Sequence, residues 1–384
     1  MEIIGIICEY NPLHRGHEKQ IRLLKEQFPG CAVVCLMSGS FVQRGMPAIV
    51  DKSLRAEAAL LAGADLVLEL PVTCALSSAE GFAAGGVKIL SGFCTGLCFG
   101  SETADRDALM SAARALLSPD FPPLLREELD TGKSFPAARA AAVERMGISP
   151  SILNQPNDIL AVEYCKAILA QGSPMKPLPI RREGSYHAAV ADQDNPSATA
   201  VRNLMLRKEN WRFCVSRSTM TLLEHAPLHT LEAGERAILA RLRTMSDEEF
   251  EALPYGSEGL WRKLMHASRQ CSTLEEIIAA TKSKRYTRTR LDRMAMCAFL
   301  EITKDMLETP APYTRVLALN DTGRAVLKEA RRHGTFLNAG EAADHPYWAL
   351  ERRCGDLYGL FCTDGPRPPR AEEQRRIIYR KETP

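Results

Sequence analysis

Two histidines three residues apart follow the first apolar run of the chain. They belong to the cluster His14-Arg15-Gly16-His17, which comes soon after Ile3–Cys8 (IIGIIC). Residues three apart on a helix face the same side, so both imidazoles are expected to point to one place. Imidazole N–H groups at a helix N-terminus can donate to a phosphoanhydride under attack at its α-phosphate and to the departing pyrophosphate. The cluster therefore predicts phosphate chemistry in which the substrate supplies the nucleophile.

Two other interpretations of this cluster are weaker. A metal site is disfavoured because no acidic or cysteine ligand stands at suitable spacing nearby, and a loop with incidental histidines remains as the structural alternative. The 12 cysteines are scattered along the chain without a C-x-x-C pair. They are interpreted mainly as small buried hydrophobic residues, and no metal site is predicted.

The elements that must position the histidines alternate between strand and helix in the first 200 residues. Strand-like apolar runs occupy 3–8, 31–37, 64–70, 96–99 and 176–180, with helical spacing between them at 18–27, 52–62, 78–90, 104–117 and 159–169. Nearly continuous apolar strands indicate a parallel sheet covered on both faces, so this half is predicted to be a doubly wound α/β domain. The remainder is mostly helical, with one strand at 313–319. We expect two domains, 1–205 and 206–384.

Composition excludes several classes of protein. The chain has 384 residues, 45% hydrophobic and 25% charged, which is ordinary for a globular protein and argues against disorder or low complexity. Its net charge is only +2, but residues 1–200 carry 18 basic and 22 acidic side chains and residues 201–384 carry 31 and 25. The second half thus has a net charge of +6, and the two halves are expected to have different partners.

The chain shows no targeting or membrane signal of the usual kind. It opens without a basic n-region, and its most apolar stretch, near 56–76, is interrupted by Asp65 and Glu69. We expect a cytoplasmic protein without a membrane partner, and no stable protein partner is implied.

Several longer motifs resemble one family within the His-x-Gly-His nucleotidyltransferase superfamily. These are GIICEYNPLHRGH (5–17), MSGSFVQRGMPAIVDKSLRAEAALLAGADLVLELP (37–71), FGSE (99–102), QPNDILAVEY (155–164), SATAVR (197–202), KRYTRTRLDRM (284–294) and YTRVLALN (313–320). They resemble the tRNA(Met) cytidine acetate ligase family in order along the whole chain. The resemblance implies a Rossmann-like nucleotidyltransferase domain, activation of acetate with ATP to acetyl-adenylate, and acetylation of the wobble cytidine of elongator tRNA(Met) to N(4)-acetylcytidine.

The resemblance also implies an ATP site. His14 and His17 would be catalytic on the phosphates, and the whole loop 7–20 would wrap ATP with Ile7, Cys8, Glu9, Tyr10, Asn11, Pro12, Leu13, Arg15, Gly16, Glu18, Lys19 and Gln20. Later contacts would come from Gly100, Asn157, Arg181, Arg182, Ser197, Thr199 and Arg202. Three of these assignments have a plain structural alternative: a tight turn at Gly100, and helix N-caps at Asn157 and within Ser197–Arg202.

Two further groups of residues are assigned to the other substrates. Gln43, Arg44, Asp51 and Lys52 crowd beside the end of the second strand and are expected to accept the acyl group or cytidine, with a solvated helix start as the alternative. The basic stretch Lys282, Lys284, Arg285, Tyr286, Arg288 and Arg290 is expected to bind tRNA, since Lys/Arg clusters bind phosphates and an aromatic ring can stack on a base. A solvated helix end is the alternative there.

The implied cofactors are ATP as co-substrate and Mg²⁺. Two other functions remain open. One is an adenylyltransferase acting on a phosphate-bearing coenzyme precursor, and the other is a non-catalytic ATP- or RNA-binding protein.

Overall fold

A mixed sheet forms the centre of the protein. The computed structural model describes residues 1–182, 195–283 and 286–381. The strands are β1 (Ile3–Cys8), β2 (Ala32–Ser38), β3 (Phe41–Val42), β4 (Met46–Pro47), β5 (Leu66–Leu70), β6 (Gly96–Ser101), β7 (Lys176–Arg181), β8 (Thr314–Leu319), β9 (Phe336–Leu337) and β10 (Ile378–Tyr379).

Helices surround this sheet and build most of the second half. Those of the first half are α1 (Arg15–Gln27), α2 (Lys52–Leu61), α3 (Val72–Ala75), α4 (Ala79–Leu90), α5 (Arg106–Leu117), α6 (Phe121–Asp130), α7 (Phe135–Arg145), α8 (Pro156–Ala170) and α9 (Ala198–Leu206). Those of the second half are α10 (Arg217–Leu223), α11 (Leu231–Thr244), α12 (Asp247–Glu251), α13 (Leu260–Gln270), α14 (Leu274–Thr281), α15 (Arg288–Leu300), α16 (Lys304–Glu308), α17 (Asp321–Ala330), α18 (Ala339–Ala342), α19 (Trp348–Tyr358) and α20 (Ala371–Gln374).

The five strands predicted in the first half are confirmed. The sheet runs in the order β10-β8-β5-β2-β1-β6-β7, and β1, β2, β5, β6 and β7 are all parallel. The chain builds outward from β1 in both directions, first through β2 and β5 and then through β6 and β7. In an open parallel sheet such a switch of direction opens a crevice at the carboxyl ends of the strands, here those of β1 and β6.

Both faces of the sheet are covered, which explains why its inner strands are continuously apolar. Every residue of β1, β2 and β5 is buried. Helices α1 and α2 pack on one face and α4, α5 and α8 pack on the other, so side chains pointing either way enter a hydrophobic core. This is the predicted doubly wound arrangement.

The second half is mostly helical but also contributes strands to the sheet of the first half. Its helices α11 to α15 and α19 share a core of their own, as the mostly helical pattern predicts. However, β8 pairs antiparallel with β5, and β9 and β10 pair with β8, so residues beyond 205 extend the sheet of the first half. The division at residue 205 stays a prediction. None of the helices described is both long and apolar enough to cross a lipid bilayer.

Candidate active site

The two motif histidines form the first turn of α1. His14 is the N-cap residue, and its Nδ1 accepts from the backbone N–H of Gly16 at 3.1 Å. The backbone N–H of His14 in turn donates to Nδ1 of His17 at 3.4 Å, which closes a capping box made of two imidazoles. Their rings are stacked with centroids 3.8 Å apart, and the ring of Tyr10 lies 4.9 Å from that of His17. The predicted shared orientation of the histidines is confirmed.

These caps fix which nitrogen carries the proton. A neutral imidazole that accepts at Nδ1 must hold its hydrogen on Nε2, so both rings are Nε2–H donors. The Nε2 atom of His14 is buried and has no hydrogen-bond partner among the described residues. A buried donor without a partner is costly, and an anionic oxygen entering the cavity would satisfy it.

Burial keeps both histidines neutral. It lowers the pKa of His14 well below the ordinary value, with further lowering from His17, Arg182 and Arg202. It also lowers the pKa of His17 to about 3, and Arg182 adds to that effect. The two rings therefore act as neutral hydrogen-bond donors at physiological pH, while the guanidinium groups carry the positive charge.

Two glycines leave room at this point for different reasons. A Cβ on Gly16 would lie 3.0 Å from Cε1 of His14, so this glycine makes space for the capping imidazole. A Cβ on Gly100, near the end of β6, would have no atom of the described residues within 4 Å. Gly100 therefore faces open space in the cavity, which fits the predicted close approach of a nucleotide.

Helix α9 brings a second N-terminus to the cavity. Ser197 is its N-cap and accepts from the N–H of Ala200 at 3.1 Å, so the capping alternative holds for this residue. Arg202 donates to the carbonyl of Asn11 at 2.7 Å and to the hydroxyl of Thr199 at 3.0 Å. One guanidinium thus ties α9 to the histidine loop and presents its charge at the cavity wall.

On the other side of the cavity Arg182 is oriented through Asn157. Nη1 of Arg182 donates to Oδ1 of Asn157 at 3.2 Å, and Nδ2 of Asn157 donates to Glu102 at 2.6 Å. The N-cap of α8 is Gln155, so Asn157 is not the cap that the alternative required. Glu102 was missed as a site residue, although the FGSE motif contains it. Its carboxylate also accepts from the backbone N–H of Asp158 at 2.8 Å, which anchors the start of α8.

The structure brings most predicted ATP contacts to one cavity at the carboxyl ends of β1 and β6. Its wall includes Ile7, Cys8, Glu9, Tyr10, Asn11, His14, Gly16, His17, Lys19, Gln20, Gly100, Asn157, Arg181, Arg182, Ser197, Thr199 and Arg202. Four members of the loop 7–20 point elsewhere. Pro12 and Leu13 are buried, Arg15 donates to the carbonyl of Val215 at 3.4 Å, and Glu18 accepts from Thr219 at 3.2 Å.

The hairpin of β3 and β4 forms the lip of the cavity and connects it to the second half. Gln43 and Arg44 line the cavity, as expected for substrate contacts. The backbone carbonyl of Gln43 accepts from Arg293 of α15 at 3.4 Å. Gly45 has φ +73°, and a Cβ there would lie 2.4 Å from the backbone of Asp292. The hairpin therefore packs directly against the helix that begins in the predicted basic stretch.

Comparisons with known proteins agree with this site. A family model described as HIGH Nucleotidyl Transferase matches residues 1–371. A tRNA(Met) cytidine acetate ligase of Clostridium novyi is 38% identical over 355 residues, covering 88% of this chain and 89% of the relative. The one of Clostridium acetobutylicum is 35% identical over 354 residues, covering 86% and 88%. The chain belongs to the tRNA(Met) cytidine acetate ligase family.

Solved structures extend the likeness to the whole fold. The apo crystal structure of Thermotoga maritima TmcAL (form I) is 29% identical, covers 100% of both chains and has a TM-score of 0.91. A second crystal form, bound with alpha-thio ATP, is 30% identical, covers 99% of this chain and 100% of that one and has a TM-score of 0.87. The predicted family membership and fold class are confirmed.

Two residues expected at the acyl or cytidine substrate lie outside this cavity. Lys52 is only 3% exposed and forms ion pairs with Glu69 at 2.6 Å and Glu372 at 2.9 Å. Asp51 is the N-cap of α2 and pairs with Arg375 at 2.8 Å, and this arginine contributes to lowering the carboxyl pKa of Asp51. The structure thus places Asp51 and Lys52 in ion pairs with the C-terminal segment, outside the cavity, and their assignment to the acyl or cytidine substrate stays a prediction.

Other residues of this chain already neutralise part of the positive charge of the basic stretch. Arg288 binds Glu275 through both terminal nitrogens at 2.7 and 2.8 Å and Asp292 at 2.8 Å. Arg290 donates to the carbonyl of Tyr255 at 2.8 Å and lies over the ring of Tyr286. Lys282 is exposed, while Lys284 and Arg285 lie outside the described residues. The assignment of these six residues to tRNA stays a prediction.

Proposed function

We propose that this chain activates acetate with ATP to acetyl-adenylate and transfers the acetyl group to the wobble cytidine of elongator tRNA(Met), forming N(4)-acetylcytidine. The observation that carries the proposal is the pair of neutral Nε2–H imidazoles at the N-terminus of α1, inside a cavity that also presents Arg182 and Arg202. Relatives named for this ligation and a neighbour bound with alpha-thio ATP support it. A tRNA substrate would place the reaction in the cytoplasm.

In the first step an acetate oxygen attacks the α-phosphate of ATP in line with the departing pyrophosphate. Charge builds up on the non-bridging oxygens and on the leaving group. His14 and His17 donate hydrogen bonds to the oxygens that gain this charge. The guanidinium groups of Arg182 and Arg202 neutralise charge on the pyrophosphate, and the hydroxyl of Thr199 donates a hydrogen bond to it. The protein supplies position and charge, because the substrate carboxylate is itself the nucleophile.

Mg²⁺ is proposed to enter with the triphosphate rather than to occupy a protein site. No group of three His, Cys, Asp or Glu side chains within the described residues could hold a metal ion. Mg²⁺ commonly uses substrate phosphates and water with only one or two protein carboxylates. When bound, it would neutralise part of the phosphate charge.

In the second step the exocyclic amine of cytidine attacks the acyl carbon of acetyl-adenylate and AMP leaves. This amine is a poor nucleophile, so holding it against the mixed anhydride supplies much of the rate. The contact between the β3–β4 hairpin and α15 offers a physical route for this placement. A tRNA bound near the start of α15 would have the cavity lip with Gln43 and Arg44 beside it.

Acetate-dependent exchange between ATP and labelled pyrophosphate tests the first step. With ATP, acetate and pyrophosphate but no tRNA, we expect label to enter ATP, because formation of acetyl-adenylate is reversible. A coenzyme adenylyltransferase would need a phosphate-bearing acceptor instead of acetate, and a non-catalytic RNA-binding protein would show no exchange with either. Exchange that is independent of acetate would contradict the proposal.

A further inference from the structure

Glu9 stands at the end of β1 and is held in place from two directions. The backbone N–H of Gln43 donates to Oε1 of Glu9 at 2.9 Å, and the guanidinium of Arg55 donates to the carbonyl of Glu9 at 2.7 Å. Arg55 itself is 1% exposed, and its guanidinium also donates to the backbone carbonyls of Val50 and Ser38. Arg55 therefore fixes the backbone of Glu9 after β1, and the cavity lip fixes its carboxylate.

The carboxylate of Glu9 differs in charge from the other side chains of the described cavity wall. Among the described residues that line the cavity, Glu9 is the only acidic side chain. The hydrogen bond from Gln43 uses Oε1, and no described residue donates to Oε2. Glu9 is also only half-buried. One carboxylate oxygen can thus receive a hydrogen bond from a substrate.

Other groups of the wall are poorly suited to accept a proton. The histidines use Nδ1 as caps and present N–H groups, and their pKa values are lowered by burial. Burial raises the pKa of the Cys8 thiol and of the Tyr10 and Tyr164 phenols well above their ordinary values, so these groups stay protonated. Lysine and arginine side chains are donors. Among the described residues of the cavity wall, Glu9 is therefore the side chain best suited to accept a proton.

We propose that Glu9 is the general base of the acetyl-transfer step, which rests on the function proposed above. As the N–C bond forms between the cytidine N4 and the acyl carbon, the bond from that carbon to the AMP phosphate oxygen breaks. AMP leaves with that electron pair, and the proton from N4 passes to Glu9 Oε2 and then to solvent. No other reactant is needed.

The same geometry explains a preference for an amine. The exocyclic N4–H₂ group of cytidine is a hydrogen-bond donor, whereas the corresponding O4 of uracil is an acceptor, and carboxylates accept from cytosine N4. Glu9 would hold a cytidine amine and repel the uracil carbonyl. The first step needs no such base, because acetate reacts as an anion.

Glu9→Gln separates the two steps. Glutamine keeps the size of the side chain and an oxygen that can accept from Gln43, but it is not a base. Because Glu9 also lines the ATP cavity, we expect its acetate-dependent ATP–pyrophosphate exchange to fall, but by much less than acetyl transfer. Transfer from chemically prepared acetyl-adenylate to tRNA(Met), followed in single turnover, should be about 10²–10⁴-fold slower.

The matched control is Glu2→Gln, which removes an exposed carboxylate just before the other end of β1 and should change neither step. If Glu9→Gln slows exchange as much as transfer, Glu9 serves ATP or its metal ion and the inference is wrong. Unchanged transfer in Glu9→Gln would also overturn it. Failure of the wild type to transfer from acetyl-adenylate would instead contradict the proposed function itself.

Discussion

The imidazole rings of His14 and His17 stack 3.8 Å apart between centroids, and each accepts a backbone N–H at Nδ1. Helix capping thus does two things at once. It satisfies donors at the start of α1, and it turns the Nε2–H groups of both rings into fixed donors. Burial keeps the rings uncharged, so their donor role does not depend on protonation near neutral pH.

His17 is expected to contribute through Nε2–H. His17→Ala should slow acetate-dependent ATP–pyrophosphate exchange by about 10²–10³-fold, the usual effect of removing one preorganised donor from a developing anion. His17→Gln places an amide N–H near the former Nε2 and should retain more activity than the alanine variant. His225→Ala is the control, since His225 is exposed and has no assigned chemistry. Equal loss in both His17 variants would argue against the donor role.

Stability is expected to depend on pH through the same histidines. Their pKa values in the folded protein are lowered, that of His17 to about 3, whereas an unfolded histidine titrates near 6.5. Between these values the unfolded chain binds protons that the folded chain rejects. Their contribution is therefore full above about pH 6.5 and is lost as the pH falls toward 3.

Urea unfolding between pH 7.5 and 4.5 measures this effect. The double variant His14→Gln/His17→Gln should show a shallower loss of unfolding free energy than the wild type, because other titrating groups are common to both proteins. Parallel curves for the two proteins would show that the histidines are not held neutral.

Gly45 is expected to keep the cavity lip against α15. Gly45→Ala would place a Cβ 2.4 Å from the backbone of Asp292 at a φ of +73°. The control Gly132→Ala has a similar φ of +85°, but its Cβ would lie more than 4 Å from every atom that the structure describes. We expect the Gly45 variant to lose about 1–3 kcal/mol more unfolding free energy than the control. Its tRNA acetylation should fall more than its pyrophosphate exchange, and equal loss of the two would contradict a link to tRNA placement.

Lys52 is expected to stabilise the protein rather than to bind substrate. Lys52→Met would leave Glu69 buried without its cation, whereas Glu372 keeps Arg375 at 3.1 Å, and should cost about 3–5 kcal/mol of unfolding free energy. Lys133→Met, which removes an exposed pair with Glu128, should cost far less, because water screens an exposed pair. Folded Lys52→Met should keep the wild-type KM for acetate. A stable variant with a strongly raised KM for acetate would instead support the predicted contact of Lys52 with the acyl substrate.

Features that depend on residues close together in the sequence could be predicted. The strand β1, the loop after it and the two histidines are contiguous, so their spacing and the rule for parallel sheets were sufficient to place them. Glu102 and Asn157 meet only because β6 and α8 pack together. Lys52 and Glu372 form an ion pair although they are 320 residues apart in the sequence. Such contacts follow from tertiary packing and left no periodic signal in the sequence.

The strand β8 illustrates the same limit. Its apolar run was predicted as a strand, but its antiparallel pairing with β5 depends on how the second half folds back on the first. The basic stretch was visible as a charge run, while its neutralisation at Arg288 by Glu275 and Asp292 required the positions of α14 and α15. Local motifs therefore identified the cavity, and long-range ion pairs changed the roles of residues around it.

Acetylation of tRNA tests the central claim most directly. The protein is incubated with ATP, isotopically labelled acetate and elongator tRNA(Met), and the tRNA is then digested to nucleosides for mass spectrometry. We expect labelled N(4)-acetylcytidine, located at the wobble position, together with AMP and pyrophosphate. An unlabelled tRNA, in an assay where the protein instead moves AMP onto a small phosphate-bearing acceptor or leaves ATP intact, would contradict the account.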